Sequence, residues 1–304
     1  MSVHDSATVE KRRVLLGPGV GWGALGVVAF SLTLPASRAA LPAFGPITVG
    51  LGRAVVAAAL AGICLLVVRA PRPTRSQTRG LAMVALGAVV GFPICSAIAL
   101  VDATSAHGAV LIGLMPATTA AIAVLRGGER PSASFWIASA AGLVAVIVFA
   151  VVQGGGQIGA SDLWLLAAVL LGSLAYAEGG VLAREMPGWQ VISWALVLAV
   201  PVVVVVAVVG VVVQPPHDPT AMAWLGMAYV SLISMFAGFF AWYRGLATGG
   251  VARIAQLQLA QPVLTVGWSV LLLGEQVTAA TIVAGLVVVG TVAATLASRR
   301  RERK

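Results

Sequence analysis

The chain has 304 residues, of which 60% are hydrophobic and only 10% charged, with a mean hydropathy of +1.01 and a formal net charge of +9. A soluble domain carries roughly 45–50% apolar and about 25% charged residues, and a chain of this length cannot wrap so much apolar side chain in a water-facing shell, so a soluble protein is excluded and a lipid-embedded one implied. Nucleic-acid binding is not the reading of the positive charge, because the arginines stand in short clusters at the ends of apolar runs and form no basic stripe with stacking aromatics.

Runs of about 20 apolar residues bounded by Pro, Gly or charge predict ten helical spans. They cover 15–36, 46–68, 80–101, 105–125, 132–152, 162–183, 190–213, 221–243, 251–273 and 277–297. The first follows a short EKRR head like a secretory leader, but it is full length and many more runs come after it, so a retained span is expected. Cys64 and Cys95 fall inside runs without ligand spacing and read as small apolar residues.

Arginine sets the orientation, because cytoplasmic loops keep positive charge. With the N terminus inside, the inner segments EKRR, RAPRPTRSQTR, RGGERPS, AREMPGW, YRGLATGGVAR and SRRRERK all carry it. The outer loops VDATSAHG, QGGGQIGASD, QPPHDPT and GEQVT carry none, and Arg38 in the first outer connection is the exception. The expected organisation is a cytoplasmic tail over 1–14, a five-helix unit over 15–152, a second over 161–297 and a basic cytoplasmic tail over 298–304.

One offset of 146 residues (275 − 129) pairs Arg38 with Arg184, Pro116 with Pro262, Gly128 with Gly274 and Glu129 with Glu275, without gaps. An odd number of spans per copy forces the second copy into the membrane upside down relative to the first. The charge follows suit: RGGERP on the inside aligns with LLGEQV on the outside. The predicted fold class is therefore an all-α membrane protein of ten transmembrane helices in two inverted five-helix repeats.

Two five-helix halves, each closing in a Pro-x12-Glu pattern written P…LRGGERPS and P…LLGEQVT, with LGRAVVAAAL in the second span, resemble the EamA family of the drug/metabolite transporter superfamily. The resemblance covers about 17 to 297. It implies a secondary transporter, usually a bacterial exporter of amino acids or other small metabolites, with alternating access around a central cavity lined by helices 1, 3, 4, 6, 8 and 9. Arg53 stands where the family commonly has an arginine, which implies a structural tie. The chain departs from the family where Ser139 and Val144 replace glycines that the second half keeps as Gly285 and Gly290.

Pro116 and Pro262 fall inside helices 4 and 9, where each removes one backbone hydrogen bond and frees the carbonyl four residues earlier, on Ile112 and Gln258. Interrupted helices at matching places in two halves point to a midplane binding site, though plain packing kinks are the other reading. Gln258, Gln261, Thr265 and Trp268 share one face of helix 9, as cavity lining or as interhelical hydrogen-bond glue. Tyr176 and its counterpart Phe30 put an aromatic at both inverted positions, to stack on substrate, to gate or to pack. Thr119 and Trp242 complete the cavity candidates. Glu178, a carboxylate inside helix 6, is a candidate for proton coupling or for an ion pair with Arg244 or Arg184. Glu129 and Glu275, beside glycine at helix ends, are expected to cap the helix start that follows each.

No phosphate loop, metal-ligand spacing, Ser-His-Asp grouping or H-E-x-x-H motif is present, so no cofactor, metal or enzymatic activity is expected. The reading is a carrier in the cell's inner or plasma membrane, with both termini cytoplasmic, acting as monomer or homodimer. Its partners are a small neutral or zwitterionic metabolite, a proton as candidate coupling ion, and the lipid bilayer. The alternatives are a multidrug or cationic-compound efflux carrier, a nucleotide-sugar antiporter and, from another class, a non-transporting membrane subunit or intramembrane enzyme.

Overall fold

The computed structural model describes residues 18–127, 133–153, 158–249 and 254–302, and all regular structure among them is helical. Helices α1 (Pro18–Ser31) and α2 (Thr33–Ile47) continue one another, so the first span extends well past residue 36. It turns only at Gly45, whose φ of 70° and ψ of 164° suit a residue without Cβ that precedes a proline. A π-helical segment, Thr48–Gly52, then leads into α3 (Arg53–Val67).

The next helix is composite as well: α4 (Arg75–Val84), a π-helical segment Ala85–Gly91 and α5 (Phe92–Asp102). A reciprocal capping box starts it, with the Gln77 N–H donating to Thr74 Oγ1 and the Thr74 N–H to Gln77 Oε1. Thr104 caps α6 (Ser105–Ile112), a turn follows, and α7 (Met115–Gly127) completes the fourth predicted span. α8 (Ala133–Gln153), α9 (Ala160–Leu182) and α10 (Gly188–Val213) come next. α11 (Ala221–Ala228), the π-helical segment Tyr229–Ala237 and α12 (Gly238–Gly249) make another composite helix. A 3₁₀ segment, Ala255–Ala260, precedes α13 (Gln261–Leu273), and α14 (Ala279–Glu302) ends the described chain.

Arg38 lies within α2, not in a loop as the sequence pattern predicts. Its Nη1 donates to the carbonyls of Leu100 and Val101, in the last turn of α5. A cation placed on the unpaired carbonyls at a helix C-terminus satisfies both charge and hydrogen bonding, which accounts for the lone arginine predicted outside.

Six stretches among the described residues are long and apolar enough to cross a membrane: Gly19–Val67, which holds the first two predicted spans, Arg75–Asp102, Ser105–Leu125, Ala160–Leu182, Gly188–Val213 and Ala221–Gly249. Three apolar helical stretches are shorter, at Trp136–Val152, Leu257–Leu273 and Ala279–Thr291. The chain is a multi-pass membrane protein whose regular structure, among the described residues, is entirely helical. Its helices differ in what surrounds them: 67% of the apolar window of Arg75–Asp102 is buried but only 28% of that of α10, whose Val205, Val208 and Val212 face outward as lipid-exposed side chains do.

The packing joins the first half of the chain to the second. α1 lies on α12, α5 on α9, α3 on α10, α6 on α13 and α8 on α14. Small residues allow the closest of these approaches: Gly19 faces Gly249, Gly23 faces Gly245, and Gly26 faces the Trp242 backbone, so α1 and α12 run antiparallel. The same offset of 146 that aligns the sequence halves carries the α1–α12 pair onto the α9–α5 pair.

Candidate functional site

Where these cross-half pairs meet, a small chamber is lined by side chains from both halves of the chain. Its free volume is about 30 Å³, which is roughly room for two waters. Ligand pockets run to about 300–1,000 Å³, so a metabolite can occupy this chamber only if the walls part.

One wall is aromatic. Phe30 on α1, Tyr176 on α9 and Phe239 on α12 line the chamber, with ring centroids 4.9 Å apart for Phe30 and Phe239 and 6.2 Å for Phe30 and Tyr176. Trp242 stands behind them, 5.7 Å from Tyr176 and 6.3 Å from Phe30, and is almost wholly buried. Offset and edge-to-face contacts of this kind are the favoured ring geometries and stiffen the wall.

The polar groups lie beside the rings. Thr33 Oγ1 and Ser234 Oγ are 2.7 Å apart, a buried bond between residues 201 positions apart that ties α2 to the π-helical segment Tyr229–Ala237. Gln261 enters from the start of α13. Arg53, the first residue of α3, is the single ionised side chain among the described residues of the lining. Only 1% of its surface is exposed, and neither its Nε nor its Nη1 has a hydrogen-bond partner among the described residues.

The chamber borrows its shape from helix interruptions. Gly113 and Leu114 separate α6 from α7, and the matching positions 259 and 260 end the 3₁₀ segment before α13. Pro116 and Pro262 therefore stand in the first turns of new helices, where a missing N–H is harmless. This corrects the expectation of a freed carbonyl on Gln258, which accepts the Gln261 N–H in a tightened 3₁₀ turn. In the first copy the turn after α6 is closed by the Leu114 N–H donating to Leu111 O. The π-helical segments Ala85–Gly91 and Tyr229–Ala237 also coincide under the offset over 231–237, and each delivers wall residues: Ala88 from the first, Ser234 and Met235 from the second.

Of the residues singled out in the sequence, Phe30, Tyr176, Gln261 and Arg53 line the chamber. Pro116 and Pro262 are buried beside the helix breaks. Gln258 is buried, and Thr119 is half-buried with an Oγ1 that lacks a hydrogen-bond partner among the described residues. Thr265 and Trp268 reach α1 instead: Thr265 Oγ1 donates to Ser31 O at 2.8 Å and Trp268 Nε1 to Ser31 Oγ at 3.0 Å. Glu178 is half-buried on α9 and is not part of the lining. Thr33, Met115 and Phe239 were not singled out, although Met115 is the counterpart of Gln261 under the offset of 146 and Phe239 that of Pro93.

Glu275 caps a different helix from the one expected. Its carboxylate accepts the Ser105 N–H at 2.9 Å, the Ser105 hydroxyl at 2.7 Å and the Ala106 N–H at 2.9 Å, so it closes the start of α6, 170 residues earlier, and not α14. The left-handed Gly274, φ 63°, turns the chain so that Glu275 points there. Nearby, His107 Nε2 and Asp162 Oδ1 are 2.6 Å apart and join α6 to α9. Glu129 lies outside the described residues.

Known proteins share this plan. The model of the EamA-like transporter family matches residues 17–151 and again 159–297. A Bacillus subtilis (strain 168) protein described as "Uncharacterized transporter YdeK" is 45% identical over 279 residues, covering 90% of this chain and 96% of that protein. A protein of solved crystal structure shares the fold with a TM-score of 0.65 at 18% identity, over 92% of this chain and 98% of its own.

Proposed function

This chain belongs to the EamA-like transporter family, and we propose that it is a secondary transporter exporting amino acids or other small neutral or zwitterionic metabolites. The observation that carries the reading is the narrow chamber between the two halves. It is walled by residues from both copies of the repeat, with helix breaks at matching positions, and it must widen to admit a solute. In the proposed cycle the halves lie inverted in the membrane, each contributing five spans, with both termini in the cytoplasm. Rocking them about the chamber opens it to one side and then the other. The antiparallel cross-half pairs, carried onto one another by the same offset, support that symmetry. Glu178 on α9 is the proposed proton-coupling carboxylate.

The ring cluster could also cradle an organic cation, as aromatic faces do. The buried guanidinium of Arg53 in the same chamber opposes that reading electrostatically.

Purified protein in liposomes preloaded with unlabelled amino acids is expected to take up the labelled compound by exchange. Vesicles that exchange no amino acid, metabolite or cationic dye overturn the proposal. In a cysteine-free background, Pro216→Cys is expected to react with an impermeant thiol reagent from outside and Thr74→Cys from inside. The opposite pattern removes the inverted arrangement. Glu178→Gln is expected to flatten the pH dependence of export, and an unchanged profile takes the coupling proton elsewhere.

A further inference from the structure

We propose that Arg53 is the residue that recognises the substrate, and that what it binds is a single carboxylate. The inference rests on the transporter reading above and narrows it from small neutral or zwitterionic metabolites to compounds bearing one carboxylate and a largely apolar body.

A guanidinium never loses its charge under physiological conditions, so placing one inside a membrane protein is unfavourable unless something compensates it. An arginine serving as a structural tie finds that compensation in carboxylates or backbone carbonyls, as Arg38 does on the end of α5. Arg53 is almost wholly buried, yet its Nε and Nη1 donate to nothing among the described residues, while its side chain forms part of the chamber wall. Charge and donors are thus held ready for an acceptor that comes from outside the chain. The position is prepared locally: the π-helical segment Thr48–Gly52 immediately before it sets the rotation of α3, and such segments recur at ligand sites.

The rest of the wall decides which anion fits. The other polar groups are neutral, namely Thr33, Ser234, Gln261 and Tyr176. A phosphate or dicarboxylate would leave one or more negative charges against apolar surface, whereas one carboxylate balances one guanidinium and takes charge-assisted hydrogen bonds from it. Phe30, Tyr176 and Phe239 then face the remainder of the solute, and ring faces accept an apolar side chain or an ammonium group equally. The cation is present in only one copy of the repeat, because the counterpart of Arg53 is the buried Ala199. The carboxylate therefore binds on the first half's side of the chamber.

The test uses the purified full-length protein in detergent, with L-phenylalanine, L-leucine and benzoate set against L-phenylalaninamide, L-leucinamide and benzamide. Thermal unfolding reports binding, and exchange in liposomes runs in parallel. At least one carboxylate is expected to raise the unfolding temperature of the wild type while its amide does not. Arg53→Met is expected to weaken that response at least about tenfold, the loss of a hydrogen bond to a charged group, and Arg53→Lys to restore part of it. The ligand-free Arg53→Met protein is expected to unfold at the same temperature as wild type or higher, because it no longer buries an uncompensated charge, whereas a structural tie would make it unfold earlier. Amides that bind as well as their acids, no response to any of the carboxylates, or an earlier unfolding of ligand-free Arg53→Met each overturn the proposal. Arg53-dependent carboxylate binding without any exchange would leave this assignment standing and remove the transport reading. Exchange of amides but not acids would do the reverse.

Discussion

The two halves of the chamber wall occupy the same places in their repeats and differ in chemistry. Phe30, Ala88, Pro93 and Met115 of the first half align, at one offset, with Tyr176, Ser234, Phe239 and Gln261 of the second, and all eight line the chamber. Hydrogen-bonding capacity at these positions is confined to the second copy, while the guanidinium belongs to the first, opposite an alanine. Duplication fixed where the wall stands, and divergence decided what each side of it can bind. In the proposed cycle a solute therefore enters in one orientation, which a chemically symmetric chamber could not impose.

The helix contacts offer the strongest way to break the comparison. Gly226 packs on Ala36 and its counterpart Gly80 on Leu182, the counterpart of Ala36, so the two contacts are copies of each other. A Cβ on Gly226 would stand 2.4 Å from the Ala36 carbonyl oxygen, and backbone does not yield easily. Gly226→Ala is expected to destabilise the protein by about 1–3 kcal/mol, read as a lower unfolding temperature and a smaller monodisperse yield. Next in size is Gln261→Ala, expected to raise the half-saturating solute concentration about tenfold in exchange assays at unchanged expression, whereas Met115→Leu in the matching place leaves it within about twofold. Equal loss of expression and transport from Gln261→Ala would assign that residue to packing. Glu275→Gln removes the charged cap of α6 and is expected to cost about 1 kcal/mol in thermal unfolding. A similar loss from Glu129→Gln would extend the likeness to the other copy. Smallest is Gly80→Ala, whose Cβ would meet Leu182 methyl groups at 3.2 and 3.3 Å. Those methyls can shift, and alanine favours the helix, so a change within about 0.5 kcal/mol is expected.

Much of the architecture can be read from the chain alone, because lipid imposes length and apolarity on a span and the offset between repeats needs only subtraction. The regions that escape such reading depend on rotation about helix axes. Arg53 stands out in the sequence as a charge inside a span, but which way it faces does not, and only the π-helical turn before it sets the azimuth that brings it to the chamber. Nothing in AVVG or SLISMFA marks a π-helix, since such residues fit either winding. The prolines did mark the interrupted helices, yet the 3₁₀ turn that satisfies Gln258 follows from how the chain relaxes around the break. Thr33 with Ser234 and Glu275 with Ser105 are partners separated by 201 and 170 residues, and no local pattern announces a bond between residues so far apart.

The π-helical segment Ala85–Gly91 has one further consequence, for length variation. Wider winding stores a surplus residue, so deleting one residue between 85 and 91 would leave an unbroken apolar α-helix, still long enough for the bilayer and still passing any hydropathy criterion. The downstream portion would keep nearly its present azimuth, because the wide turn already absorbs the roughly 100° that one residue subtends in an α-helix. Phe92 and Pro93 would keep their side of the chamber, whereas the same deletion within the regular turns of α4, which store no surplus, would swivel them by roughly 100° relative to the start of that helix.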